Sequence, residues 1–143
     1  VSSAEELVAD AACLRPAQAV ALAALVDGSD FDDPYLGQVF DAGVTVARRG
    51  YPAERDRYRA VHEELMARGA HHSYRDVARL TGLRLPALPG LGDADVAANK
   101  IHEAAVRRRL DAALVTAAAS LASGRRTDAV ARSLADALER VGA

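Results

Sequence analysis

Four carboxylates stand close together at Asp27, Asp30, Asp32 and Asp33, and a divalent cation is the chemistry such a set would serve. Their spacing does not suit a calcium loop, because no glutamate follows to act as a bidentate ligand and Gly28 comes directly after the first aspartate. Turn and cap duties account for them instead: Asp27-Gly28-Ser29-Asp30 reads as a turn, and Asp33 as the N-cap of a helix opened by Pro34. His62-Glu63-Glu64-Leu65-Met66 approaches the zinc-protease pattern, but Met66 stands where the second histidine ligand is required. His71 and His72 are neighbours and cannot both face one metal from a helix, so they read as solvated turn residues. Cys13 is the one cysteine; it lacks a CxxC partner and reads as a small buried apolar residue.

Nucleophile and nucleotide chemistry find no better footing. There is no GxSxG elbow and no GxxxxGK[ST] loop, and Gly90-Leu91-Gly92 is too short for a dinucleotide fingerprint. Arg107, Arg108 and Arg109 form the densest positive run, yet successive helical residues fan out by about 100° and do not make one patch. Glu103, Arg107 and Asp111 follow each other at four-residue steps, which describes a solvated helix face. No catalytic, cofactor-binding or metal residue is therefore assigned, and the chain by itself is not expected to be an enzyme. The enzymatic alternative is a small helical site assembled from His62, His102 and nearby carboxylates. Tyr74 to Leu83 resembles the first helix and turn of a helix-turn-helix, which makes a DNA-binding regulator the alternative function. The recognition helix should follow, but Arg84 to Gly92 contains two prolines and two glycines.

The elements that carry these residues are helices. Alanine and leucine dominate the 143 residues, aromatics make up 4%, tryptophan is absent, and no segment alternates as a strand does. The chain is long enough for a domain with its own core. A formal charge of -2 excludes a polycation built to coat nucleic acid or an acidic membrane. With one cysteine, no membrane-length apolar run and no signal-peptide pattern, a cytoplasmic location is expected. The start at Val1 rather than methionine suggests a portion of a longer protein.

In order, Ser3-Ala4-Glu5-Glu6 fits a capping box for a helix ending before Pro16. Pro16 opens a second helix to about Val26, apolar nearly all round and expected to be central. A third runs from Pro34 to Gly50, with Leu36, Val39, Phe40, Gly43, Val44 and Ala47 inward. A charged fourth, after Pro52, buries Tyr58, Val61, His62, Leu65 and Met66 and stops at Gly69; a fifth covers about Ser73 to Thr81. Residues 1–83 thus read as a compact head of about five short helices and 84–92 as a proline- and glycine-rich joint.

Residues 93–143 read as a long helical hairpin. Asp93 can cap a helix uninterrupted from Ala94 to Ser123, a turn follows at Gly124-Arg125-Arg126, and Thr127 can cap the returning helix. Val96, Val106, Leu110, Leu114, Ala117 and Leu121 fall on one side of the long helix, and Ile101, Ala105, Ala112, Val115 and Ala119 on the opposite side. The returning stripe of Val130, Leu134, Ala137, Leu138 and Val141 can cover only one of them. A homo-oligomer is expected to shelter the other, with Ile101, Ala105, Val106, Leu110, Leu114, Val115, Leu121, Leu134 and Leu138 divided between internal packing and the interface.

The order of several segments resembles the N-terminal domain of DnaB-type replicative DNA helicases. They are Gln18-Ala19-Val20, Phe31-Asp32-Asp33-Pro34 with Val39-Phe40 and Ala42, and Ala47-Arg48-Arg49-Gly50. His62-Glu63-Glu64-Leu65 with Ala67-Arg68-Gly69, then Ala97-Ala98-Asn99, Ile101 and Ala105-Val106-Arg107-Arg108-Arg109-Leu110, continue the series. Ala17, Leu22 and Leu36 stand where the family usually carries Glu, Gly and His. The resemblance implies a non-catalytic oligomerisation and docking module: dimers through the hairpin form the collar of a hexameric helicase. It further implies contact with primase or a helicase-loading protein, and a motor in a separate domain. No cofactor, membrane or sequence-specific nucleic acid belongs to that picture.

Overall fold

A computed structural model describes residues 3–50, 54–69 and 91–141. The fold is all-α: six α-helices and one 3-10 turn occur among the described residues, with no strand. They are α1 (Ser3–Leu14), α2 (Pro16–Leu22), the 3-10 turn Gly28–Asp30, α3 (Pro34–Arg49), α4 (Glu54–Ala67), α5 (Leu91–Ala122) and α6 (Thr127–Val141). The expected fifth helix of the head, with His71, His72 and the Tyr74–Leu83 segment, lies outside the described residues, as do residues 84–90 of the joint. The chain forms two compact units, residues 1–102 and 103–143. The division falls within α5, eleven residues past Leu91, because the first turns of that helix belong to the core of the first unit: Ala94, Ala97, Ala98 and Ile101 are buried there.

In the first unit α3, not α2, is the central helix, since α1, α2 and α4 all pack on it. The expected extension of α2 to Val26 is a correction: the helix ends at Leu22, and the chain tightens through Ala24 N–H to Ala21 O (3.2 Å) and Leu25 N–H to Leu22 O (2.9 Å). Two turns cannot bury an all-round apolar surface, and Val20 remains 45% exposed while Leu22 and Val26 are buried. Val39, Phe40, Ala42 and Val46 of α3 are fully enclosed, and Phe31 lies against Phe40 with ring centroids 5.3 Å apart. Gly43 lets α1 approach: a Cβ there would lie 3.0 Å from the backbone of Ala12.

The aspartates of the first unit organise this packing. Asp27 accepts from Ser29 N–H (2.8 Å) and Ser29 Oγ (2.5 Å), Asp30 accepts from Asp27 N–H (3.2 Å), and Asp33 caps α3 through Tyr35 N–H (2.9 Å) and Leu36 N–H (3.4 Å). The turn is clamped onto α3 by Asp41, which accepts from Gly28 N–H at 2.8 Å. Glu5 is a contact that sequence spacing did not foresee. Buried on α1, it accepts from the backbone N–H of Asp32 and Asp33, both at 3.0 Å, and so fixes the start of α3.

On α4 the inward residues are Arg57, Ala60, Val61 and Leu65. Met66 is 46% exposed and His62 only half-buried, which corrects the expected buried set; Tyr58's side chain lies outside the described residues. Met66 falls about 100° from Leu65 around the helix and so turns away from α3. The Arg57 guanidinium donates to Leu14 O, where Pro16 interrupts the hydrogen bonding of α1. Gly50 ends α3 in the left-handed conformation (φ 77°), and Gly69 has the same φ after α4.

Candidate functional site

The residues with chemical potential in the first unit are used for its fold. His102 Nδ1 lies 3.3 Å from Asp30 Oδ2, the same carboxylate that accepts from Asp27 N–H. Glu64 on α4 takes Arg49 of α3 (2.7 Å) and Arg68 (2.6 Å), and Arg68 also donates to Thr45 Oγ1 (2.7 Å). These hydrogen bonds, Arg68 first and then Arg49, hold the Glu64 carboxyl below the usual carboxylate range. Two segments that carried the family resemblance, Ala47-Arg48-Arg49-Gly50 and His62-Glu63-Glu64-Leu65, therefore meet through one ion-pair network. Among the described residues no group of three or more His, Cys, Asp or Glu side chains is placed to hold a metal ion. Cys13 is buried on α1 with its Sγ 4.0 Å from Val39 O, and burial pushes its thiol well above the ordinary range.

Asp10 was not singled out by any motif. It lies on α1 with no solvent exposure, among Val8, Ala9, Ala11 and Ala12, and desolvation pushes its carboxyl up to about 8. The only hint in the sequence is its place in an otherwise apolar run, Leu7 to Leu14.

The second unit is built differently. The chain turns after α5 through Gly124, whose φ of 86° favours glycine. Gly124 N–H bonds to Leu121 O (3.1 Å) and Arg125 N–H to Ser120 O (3.2 Å), the paired bonds that close a helix on a left-handed glycine. Helix α6 then shares one groove with α5. Its walls include Ala112, Ala113 and Ala117 from α5 and Val130, Leu134 and Ala137 from α6. The groove is open, with a volume of about 500 Å³, and Arg109, Arg125 and Arg140 also line it.

The α5 wall of the groove runs through Ala112, Ala113, Thr116, Ala117 and Ser120, and so takes Ala117 from one of the two expected apolar sides and Ala112 from the other. Leu110 (39%), Leu114 (50%), Leu121 (51%) and Val115 (61%) stay exposed on α5, as does Leu138 (42%) on α6. Of the other residues in the expected interface set, Ile101 is buried in the core of the first unit, Ala105 is buried, and Val106 and Leu134 are half-buried.

Leu110, Leu114 and Leu121 lie within about 40° of one another around α5, so they make one stripe along the helix. In a pair of right-handed helices running in opposite directions, Leu138 falls on the same side of the pair as that stripe. Among the described residues, none of these four lines the groove. The unit thus carries a leucine face on one side and an arginine-edged groove on another. No helix of the described residues is long and apolar enough to cross a membrane, so lipid does not account for the leucines as a spanning segment.

No protein-family model matches the chain, and no curated protein matches it either.

Proposed function

We propose that the chain is a non-catalytic oligomerisation and docking domain, and that a second copy covers its leucine face. The observation that carries this reading is the row of Leu110, Leu114, Leu121 and Leu138, each between 39% and 51% exposed. Isolated exposed leucines are ordinary, but a contiguous row on a helix pair is a surface that association removes from water. An interface made of one patch meeting its own copy closes as a two-fold dimer of four helices.

Burying a half-exposed leucine is worth roughly 1 kcal/mol, so four on each copy contribute about 8 kcal/mol before costs. Association itself costs about 4 kcal/mol or more. The leucines alone therefore support only millimolar pairing, and the alanines and arginine stems around them must add about 4 kcal/mol to bring the Kd to the micromolar range.

Together with the segments that resemble DnaB-type helicases, this surface supports a collar role in DNA replication. In that role dimers join into a hexamer on a parent helicase, and the head or the helix pair meets primase or a loading protein. Sedimentation equilibrium up to about 100 µM tests the first step, since a micromolar Kd makes the dimer dominant there. Leu114→Asp, which places a charge in the middle of the buried face, should leave a folded monomer. A wild-type chain that remains monomeric at that concentration overturns the reading, as does a Leu114→Asp variant that assembles like wild type.

A further inference from the structure

The groove between α5 and α6 is separate from the leucine face and has its own character. Its described lining includes three arginines, Arg109, Arg125 and Arg140, and no carboxylate. The whole second unit shares this sign: residues 103–143 hold seven arginines against five carboxylates, while residues 1–102 hold eleven basic and fifteen acidic side chains. Among the described residues, Arg126 pairs with Asp128 at 3.3 Å, whereas Arg125 and Arg140 have no ion-pair partner.

We propose that this groove seats an acidic amphipathic helix from a different protein, its apolar ridge between α5 and α6 and its flanking aspartates or glutamates against Arg125 and Arg140. The walls fit a helix ridge: Ala112, Ala113 and Ala117 leave room for the larger side chains of a guest, while the half-buried Leu134 and Ala137 give it aliphatic contact. Charge selects the guest. A second copy of this chain brings its own three arginines to the same place, so pairing groove to groove sets like charges together. Single-stranded nucleic acid would meet the arginines but find nothing to stack on, because residues 103–143 contain no Phe, Tyr or Trp. This assignment rests on the second unit alone and stands whether or not the leucine face pairs.

The test uses the full chain and two labelled helical peptides, identical in a leucine ridge, one flanked by glutamates and the other by lysines, read by fluorescence anisotropy. The glutamate peptide should bind at least about tenfold tighter than the lysine peptide, and added salt should narrow the difference. Arg125→Glu with Arg140→Glu should reverse the preference. Ala113→Leu, which fills the groove without touching charge, should weaken the glutamate peptide by about tenfold or more. Circular dichroism and sedimentation identify any variant that has lost its fold or assembly; both arginines are exposed, so the double variant should keep the wild-type mass. Equal affinity for the two peptides, no binding of either, or displacement by oligothymidylate at equal concentration overturns the proposal. A monomeric chain that still selects the glutamate peptide would refute pairing through the leucines and leave the groove assignment standing; the reverse result would do the opposite.

Discussion

Replacing Asp10 by asparagine should stabilise the protein in neutral and alkaline solution and do little in acid. The side chain has no solvent exposure, and its carboxyl is raised from 3.8 to about 8 by desolvation. The folded state therefore holds a proton that the unfolded chain releases in the interval between those values. The sign follows from this: Asp10 favours folding fully below the unfolded value, and that contribution is lost as pH rises through about 8. At pH 7 the unfolded carboxyl has ionised while the folded one remains protonated, which costs up to about 4 kcal/mol, at about 1.4 kcal/mol per pH unit. Asparagine has nearly the same shape and nothing to ionise, so it should recover most of that cost.

Urea denaturation at pH 5, 7 and 9 measures it. The midpoint of Asp10→Asn should exceed that of wild type at pH 7 and 9, and the gap should shrink towards pH 5. A gap that is independent of pH, or a variant less stable than wild type at pH 9, would mean that Asp10 is ionised and held by a cation in the fold, and the desolvation account would fail.

Two further substitutions probe how the first unit is held. Gly28→Ala should cost about 1–3 kcal/mol in thermal or urea denaturation, because a Cβ there would lie 2.1 Å from Asp41 Oδ2 and 2.6 Å from Gly37 O; an unchanged melting temperature would show that the turn is not clamped onto α3. Glu64→Gln should cost about 1 kcal/mol at pH 7, reduced by the 50% and 36% exposure of Arg49 and Arg68, and nothing once acid has protonated the wild-type carboxylate; a loss that persists in acid would point to packing instead.

Much of the helical plan was readable because helices announce themselves locally. Pro34 after Asp33 starts α3 and Gly50 stops it; the uninterrupted run before Gly124 is α5, and the turn after it lies where the glycine predicts. Each is decided by one residue's own backbone freedom or by a side chain bonding two or three residues away. The exposed leucines were readable for a similar reason, since spacing alone puts Leu110, Leu114 and Leu121 on one side of a helix.

What spacing could not settle was which neighbour each face would meet. The sequence by itself determined an all-α chain, the helix boundaries at Pro34, Gly50 and Gly124, and the surplus of apolar side chains on α5, but not the end of α2 at Leu22 or the start of α5 at Leu91. Only the tertiary structure decided that α3 rather than α2 is central, that Ile101 belongs to the head's core and that Glu5 caps a segment 27 and 28 residues away. It also decided that an open groove runs between α5 and α6 while Leu110, Leu114, Leu121 and Leu138 stay exposed. Periodicity states the direction of a side chain about its own axis, whereas burial depends on the arrival of another element from elsewhere in the chain. That arrival is set by the summed packing of all the helices and is written in no single stretch of residues.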